Sequence, residues 1–407
     1  MADLNQTPQG ERTHIALFGR RNIGKSSLIN ALADQQVSIV SAVKGTTTDP
    51  VSKAMELLPL GPVLLTDTPG LDDEGTLGEL RIERTLNVLN HTDVALLVTN
   101  AELGLGEWEG KLLAKIQARK LPCLVVLTQI DRLPPGEELL KQLAEAVPGS
   151  PVLAVSSQTG EGIEALKQAI GKTLPDSNAE RRLIGDLLAP QDVVVLVTPI
   201  DAAAPKGRLI LPQQQVIRDI LESDAIAVVT KEFQLKATLA ALGSRPRMVV
   251  TDSQVFAKVA AETPDDIPLT SFSMLFARYK GDLPALIHGA EMINRLKDGD
   301  RILIAEGCTH HRQEDDIGTK KIPRWLRERT GKELVFDHTS GIEYARNLKD
   351  YALIIHCGGC MLNRKEMLSR ISQAKEANVP IVNYGILIAA LKGILSRSLA
   401  PLMPPRG

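Results

Sequence analysis

The chain has 407 residues, of which 43% are hydrophobic and 24% are charged, and its formal net charge is -2. This length exceeds one ordinary domain, so two or three domains are expected, and the near-neutral charge provides no general basic surface for nucleic acid. Aromatic residues make up only 3% of the chain, which also argues against platforms for stacking bases.

The amino-terminal residues lack the basic start and the apolar stretch of a secretory signal. No segment reaches the roughly 18 to 20 uninterrupted apolar residues that a membrane span requires. We therefore expect a cytoplasmic protein that does not cross a membrane. Its four cysteines are expected to be free, catalytic or metal-binding rather than disulfide-bonded.

Short apolar runs alternate with amphipathic stretches of helical length from Ile15 onward. This alternation predicts an α/β chain of three domains, each a mostly parallel sheet flanked by helices. Proline, asparagine and serine interrupt the pattern after residue 175, and prolines with aspartates interrupt it again near residue 264. The predicted domains are residues 1–175, 176–264 and 265–407.

The first predicted strand is followed by "GRRNIGKSS" and then by a helical pattern, which is the context of a P-loop. The glycines of such a loop let main-chain N–H groups hold phosphate oxygens, the lysine bridges the outer phosphates, and the first serine reaches Mg²⁺. The predicted phosphate-binding residues here are Gly19, Gly24, Lys25, Ser26 and Ser27.

Two later motifs follow in the order that a GTPase requires. In "GTTTD", Thr47 is expected to complete the coordination of Mg²⁺, and in "DTPG" the Asp67 carboxylate is expected near the metal and the Gly70 N–H at the γ-phosphate. Lys25, Thr47, Asp67 and Gly70 are therefore the residues predicted to support hydrolysis.

The predicted base-reading loop is "TQID", which is similar to the guanine-binding N-K-x-D pattern but has Thr128 and Gln129 at its first two positions. Asp131 is retained, and its carboxylate can accept the guanine N1 and N2 protons. "SSQTG", with Ser156 and Ser157, is the loop expected to close over the base. Guanine selectivity is expected to depend chiefly on Asp131.

This first segment resembles the GTPases of the MnmE and Era type. In MnmE-like members an asparagine of the P-loop helps to hold K⁺ beside the phosphates, and Asn22 occupies that position. The residue after "DTPG" is Leu71, which cannot orient a water molecule as glutamine can. The resemblance implies slow GTP hydrolysis that depends on K⁺, a partner or dimerisation.

Three cysteines near the end of the chain follow two predicted strands: Cys308 follows "RILIAEG", and Cys357 and Cys360 follow "YALIIH". Ligands of parallel sheets bind at the carboxyl ends of strands, so we expect the three thiols at one edge. His310 or His356 can add a fourth ligand for zinc, whereas a 4Fe-4S cluster can use three cysteines and leave one iron for a histidine, Glu306 or an outside molecule. Spacing alone leaves both open, together with a redox dithiol or buried core cysteines.

"CTHH" followed by "HCGGC", behind an MnmE-like GTPase segment, makes the whole chain similar to the HydF family of FeFe-hydrogenase maturation GTPases. The resemblance favours a 4Fe-4S cluster over zinc, on a constellation that comprises Cys308, His310, His356, Cys357 and Cys360. It also implies a homodimeric carrier that receives a di-iron precursor from radical-SAM maturases and delivers it to the apo FeFe-hydrogenase. The alternative is a GTPase of RNA modification or ribosome assembly with a structural zinc site. It predicts a basic RNA face, whereas the third segment offers only stretches of mixed sign such as "KKIPRWLRERTGKE".

Overall fold

The computed structural model describes residues 7–33, 50–70, 84–174, 181–200, 209–307, 316–341, 344 and 347–403. The chain divides into two compact units, Met1–Asn178 and Ala179–Gly407. Each unit builds its own hydrophobic core from parallel strands and the helices beside them. This arrangement confirms the predicted α/β class.

The first unit contains one six-stranded sheet in the order β2-β3-β1-β4-β5-β6. All neighbouring pairs are parallel except β2 and β3. The strands are β1 Thr13–Phe18, β2 Val51–Leu57, β3 Gly61–Asp67, β4 Val94–Asn100, β5 Cys123–Thr128 and β6 Val152–Ala154. The helices whose two ends lie in the described residues are α1 Lys25–Leu32, α2 Glu107–Ala118, α3 Glu137–Ala146 and α4 Ile163–Thr173, and residues 84–89 are helical as well.

Strands β4 and β5 are buried along almost their whole length and present apolar side chains to two separate clusters, one on each face of the sheet. Such strands read as continuous apolar runs in the sequence, which is why they could be predicted. Strand β2 was not predicted. It lies at the edge of the sheet, where its alternating half-buried and exposed residues give a weaker signal than a buried strand does.

The second unit contains two four-stranded parallel sheets, in the orders β10-β9-β7-β8 and β12-β11-β13-β14. The strands are β7 Val193–Val197, β8 Ile226–Thr230, β9 Met248–Thr251, β10 Leu269–Ser271, β11 Arg301–Glu306, β12 Val335–Ser340, β13 Leu353–His356 and β14 Ile381–Asn383. One continuous hydrophobic cluster joins the two sheets.

The helices of the second unit are α5 Leu211–Leu221, α6 Leu235–Ala241, α7 Phe256–Glu262, α8 Phe272–Lys280, α9 Leu283–Glu291, α10 Ile322–Thr330, α11 Arg364–Glu376, α12 Tyr384–Leu391 and α13 Leu395–Leu399. Among the described residues, no helix combines the length and the apolar character that a bilayer span requires.

The pairing of β11 with β13 determines where the carboxy-terminal cysteines lie. Ala305 is the register partner of His356, and the Cys357 N–H donates to the Ala305 carbonyl at 2.9 Å. The two chain segments that leave these strands therefore emerge side by side.

Candidate functional site

The P-loop lies between β1 and α1, as predicted. Gly24 precedes α1 with φ 97, a conformation that L side chains rarely adopt, and the Lys25 side chain folds over the loop. Lys25 Nζ donates to the Gly19 carbonyl at 2.9 Å and to the Arg20 carbonyl at 2.8 Å. The ammonium group is therefore held at the loop, where a polyphosphate would place its charge.

Ser26 and Asp67 meet at the carboxyl ends of β1 and β3. Ser26 Oγ donates to Asp67 Oδ2 at 2.5 Å, and Asp67 Oδ1 is buried without a hydrogen-bond partner in the described part of the chain. Burial raises the pKa of Asp67, against opposing contributions from Ser26 and Lys25. A hydroxyl beside a carboxylate with an unused oxygen is a donor set that Mg²⁺ and its bound water prefer.

Gly70 approaches the P-loop closely. A Cβ atom at Gly70 would lie 2.7 Å from the Arg21 nitrogen, so only glycine fits at this contact. The DTPG turn is also fixed by Thr68, whose hydroxyl donates to the Leu17 carbonyl at 2.7 Å. Thr47 and Leu71 lie outside the described residues, so the predicted position of Thr47 at the metal stays a prediction.

The base-reading loop contacts the P-loop directly. Thr128 Oγ1 donates to the Ile23 carbonyl at 2.6 Å, and Gln129 Nε2 donates to the Asn22 carbonyl at 3.3 Å. Ser156 Oγ donates to Asp131 Oδ1 at 2.6 Å, which orients the carboxylate expected to read guanine. The first two residues of the base-reading loop thus contact the P-loop, and Asp131 contacts Ser156 of the loop expected to close over the base.

Sequence reasoning missed an ion pair that anchors the P-loop. Arg20 donates to both carboxylate oxygens of Glu109 in α2, at 2.8 and 3.1 Å, and Glu109 is 1% exposed. Burial pushes the pKa of Glu109 upward, but the bonds from Arg20 and from the main chain outweigh it and leave the pKa lowered. The two residues lie far apart in the sequence, so no local pattern could have revealed the pair.

Cys357 and Cys360 lie in the loop that follows β13, and both are half-buried. The Gly307 N–H donates to Cys357 Sγ at 3.1 Å, and the Gly359 N–H lies 3.4 Å from the same sulfur. Burial raises the pKa of the Cys357 thiol to about 11, and it also raises the pKa of Cys360. The residue next to Cys308 in the chain therefore contacts the sulfur of Cys357.

Cys308 and His310 themselves lie outside the described residues. Within the described ranges, His, Cys, Asp and Glu side chains form no group of three or more that could hold a metal ion. The predicted three-thiol constellation therefore stays a prediction, and the described residues show only that Gly307, which precedes Cys308 in the chain, contacts the Cys357 sulfur.

His356 is fully buried, and both of its ring nitrogens have hydrogen-bond partners. Arg370 Nη1 lies 3.1 Å from His356 Nε2, and His356 Nδ1 lies 2.8 Å from the Cys357 carbonyl. A guanidinium group can only donate, so Nε2 accepts and Nδ1 carries the proton that it donates to the carbonyl. Burial, followed by the charge of Arg370, lowers the pKa of His356 to about 4. Coordination of a metal by His356 would break one of these bonds.

Two more buried charged side chains, Lys280 and Glu306, lie near the cysteine loop. Lys280 Nζ donates to the carbonyls of Cys360 and Leu362, at 3.2 and 2.8 Å. Glu306, at the end of β11, is 3% exposed and accepts a hydrogen bond from the Tyr384 hydroxyl at 3.2 Å. The buried Lys280 ammonium group thus holds the end of the loop, and Glu306 remains a candidate ligand.

Comparison with protein families matches three models to this chain. A 50S ribosome-binding GTPase model matches residues 14–129, a hydrogen maturase F dimerization domain matches residues 183–281, and a hydrogen maturase F tetramerization domain matches residues 284–401. The two maturase models together cover more than half of the chain and include Cys308, Cys357 and Cys360 in the second of them.

Curated relatives match the amino-terminal part of the chain. A tRNA modification GTPase MnmE of Desulfotalea psychrophila is 34% identical over 158 residues, which are 38% of this chain and 33% of the relative. A GTPase Der of Wolinella succinogenes is 33% identical over 193 residues, which are 46% and 40% of the two chains. A solved structure of Era from Aquifex aeolicus covers 56% of this chain and 97% of its own, at 20% identity and a TM-score of 0.36. The chain spans well under half the length of these two curated relatives.

Proposed function

Because this chain belongs to the HydF-type hydrogen maturase GTPases, we propose that it is a GTP-hydrolysing carrier of an iron-sulfur precursor. Cys308, Cys357 and Cys360 hold a 4Fe-4S cluster, and a di-iron precursor made by radical-SAM maturases is bound there and delivered to the apo FeFe-hydrogenase. The observation that carries this proposal is the bond from the Gly307 N–H to Cys357 Sγ, because it places the two cysteine-bearing strand ends in contact.

The thiols and their surroundings fit a cluster. Thiolates are the ligands that iron-sulfur clusters use, and N–H groups directed at sulfur stabilise the negative charge that a bound thiolate carries. Gly307 and Gly359 already direct their N–H groups at Cys357. A bound cluster with three protein thiolates supplies one iron for an exchangeable ligand, which is what a carrier needs.

The fourth ligand is then His310, Glu306 or an outside molecule. His356 is the weaker candidate, since its two ring nitrogens bind Arg370 and the Cys357 carbonyl. We assign it instead to orienting the loop between Cys357 and Cys360. A fixed carbonyl at Cys357 determines the direction in which the chain enters that loop.

The proposed nucleotide site is built from the P-loop and the residues that contact it. Lys25 neutralises the outer phosphates, Gly70 provides an N–H at the γ-phosphate, and Ser26, Thr47 and Asp67 hold Mg²⁺ directly or through water. Asn22 contributes to a K⁺ site. The remaining proposed nucleotide-binding residues are Gly19, Gly24, Ser27, Asp131, Ser156 and Ser157.

Self-association follows from the two oligomerisation domains, and a homodimer is the assembly that we propose. The nucleotide state would act through the segments around Thr47 and Gly70, which change their contacts when the γ-phosphate leaves. We place the whole cycle in the cytoplasm, with apo-hydrogenase and maturases as partners and with no role for nucleic acid.

Anaerobic purification with analysis of iron, sulfide and zinc tests the metal assignment. We expect about four irons and four sulfides per chain after reconstitution, and their loss in Cys357→Ser and in Cys360→Ser. Cys123→Ser is the matched control, because Cys123 is a buried cysteine of β5 in the other unit and should leave the metal content unchanged. Zinc at one ion per chain without iron would overturn the carrier and favour the RNA-modification alternative.

A further inference from the structure

Thr128 is a residue that the N-K-x-D pattern would not supply, and the structure shows what its side chain does. It is 2% exposed, and its hydroxyl lies 2.6 Å from the Ile23 carbonyl and 3.0 Å from the Thr99 carbonyl. Both neighbours are acceptors, so the hydroxyl proton is directed at the protein. The Thr128 side chain therefore connects the end of β5 to the P-loop and to the end of β4 by hydrogen bonds.

A hydroxyl has one proton, whereas the amide nitrogen of asparagine has two. An asparagine at position 128 could give one proton to the Ile23 carbonyl and keep the other for an acceptor on the base. Guanine presents N7 as an acceptor on the edge opposite to its N1 and N2 donors. Thr128 has no proton left for that acceptor.

Gln129 also bonds within the protein, and its amide nitrogen gives one of its two protons to the P-loop. Its Nε2 donates to the Asn22 carbonyl at 3.3 Å, and its Oε1 accepts from Asn100 Nδ2 at 3.3 Å. The side chain thus joins the P-loop to the end of β4. Unlike the lysine of the pattern, it brings no positive charge to the pocket.

We propose that this chain selects guanine through Asp131 and that the residue at position 128 does not read the N7 atom of the base. Thr128 and Gln129 keep the pocket assembled, while the carboxylate held by Ser156 provides the selection at N1 and N2. The chain therefore tolerates purines that lack N7 but not purines that lack the 2-amino group. This inference rests on the nucleotide pocket described above and is independent of the metal site.

Equilibrium binding of three nucleotides to the full-length chain with Mg²⁺ tests it: GTP, 7-deaza-GTP, which has a carbon in place of N7, and ITP, which lacks the 2-amino group. We expect GTP and 7-deaza-GTP to bind within about twofold of each other, and ITP to bind about tenfold or more weakly. A preference of about fivefold or more for GTP over 7-deaza-GTP would overturn the inference without any variant.

Two substitutions sharpen the test. Thr128→Asn is expected to create a preference for GTP over 7-deaza-GTP of about three- to tenfold, the value of one ordinary hydrogen bond. Gln129→Lys is the matched control, which should change the affinity for both nucleotides by the same factor and leave their ratio near one. An unchanged ratio in Thr128→Asn would count against the inference. If the unmodified chain bound no GTP, the nucleotide-pocket assignment would be overturned as well. That result is separate from the metal assignment, which is tested by iron and sulfide content.

Discussion

The nucleotide site and the cysteine loop both lie at the carboxyl ends of parallel strands, but they are held in different ways. In the nucleotide site, Lys25 and Thr128 bond to carbonyls of the P-loop, and Asn22, Ser26 and Ser27 are exposed. Beside the cysteine loop, Arg370 and Lys280 are almost fully buried. Lys280 bonds to carbonyls of the loop, and Arg370 bonds to His356, which directly precedes it.

This difference indicates which site is built before its ligand arrives. A buried charge is costly to remove from water, and it is tolerated only where several partners meet it. Arg370 has three such partners in Glu366, His356 and the Gly341 carbonyl. The cysteine loop should therefore keep its shape without metal and be the region most sensitive to loss of one partner.

The substitution Arg370→Met is expected to have the largest effect. It removes the guanidinium but keeps a long apolar side chain, and it takes one charged donor from the nearly buried Glu366 carboxylate and one from the His356 ring. Loss of one member of a buried ion pair costs about 3–5 kcal/mol of unfolding free energy. Urea unfolding of the metal-free chain, followed in the second unit, measures this.

Arg324→Met is the matched control, because Arg324 is 58% exposed and its nearest carboxylate oxygen, in Glu328, lies 3.9 Å away. A surface pair of this kind is worth about 0–1 kcal/mol. Equal losses of stability in the two variants would show that the buried network does not hold the cysteine loop, and the contrast with the nucleotide site would fail.

Lys280→Met is expected to have the next largest effect, about 2–3 kcal/mol, because the carbonyls of Cys360 and Leu362 lose a charged donor. Because those carbonyls belong to the cysteine loop, iron content after reconstitution should fall as well. The measurement is the shift of the thermal midpoint together with iron per chain.

Lys375→Met provides the comparison for this variant, since Lys375 is 56% exposed and pairs with Asp282 rather than with a carbonyl of the cysteine loop. We expect it to bind iron as the unmodified chain does. If Lys280→Met also bound iron normally and unfolded at the same temperature, the lysine would not be a brace of the loop.

The fold could be predicted largely because buried parallel strands leave a local signal. Strands β4 and β5 are apolar along almost their whole length, and the P-loop has a fixed spacing between strand and helix. The edge strand β2 and the three-residue strand β10 were not predicted, because their residues are few or alternate in exposure. The sequence signal for a strand is therefore weaker where the strand is short or only partly buried.

The sites were predictable to different degrees for the same reason. Ser26 and Asp67 belong to motifs whose order in the chain implies their contact, and the structure brings them together. Arg370 and Lys280 belong to no motif, and a charged residue inside a protein goes against the ordinary expectation for its type. Their roles follow only from the packing of α8 and α11 against the cysteine loop.

The P-loop also carries an ion pair, between Arg20 and the buried Glu109 carboxylate. The substitution Glu109→Gln therefore tests whether a half-buried pair contributes less stability than the buried Arg370 network. Arg20 is partly exposed while Glu109 is not, so we expect a loss of about 1–2 kcal/mol at neutral pH, less than for Arg370. The P-loop should also lose rigidity, and GTP affinity should fall with it. Glu107→Gln is the control, because Glu107 lies on the exposed side of the same helix.

The pH dependence of this loss has a definite sign. The pKa of Glu109 is lower in the folded chain than its ordinary value of 4.5, so the carboxylate stabilises the fold fully above that value and loses this contribution as pH falls through the folded-state pKa. The stability difference between the unmodified chain and Glu109→Gln should therefore be constant near neutral pH and shrink in acid. A difference that grew in acid would mean that Glu109 is not paired as a carboxylate, and the Arg20–Glu109 pair would then not anchor the P-loop.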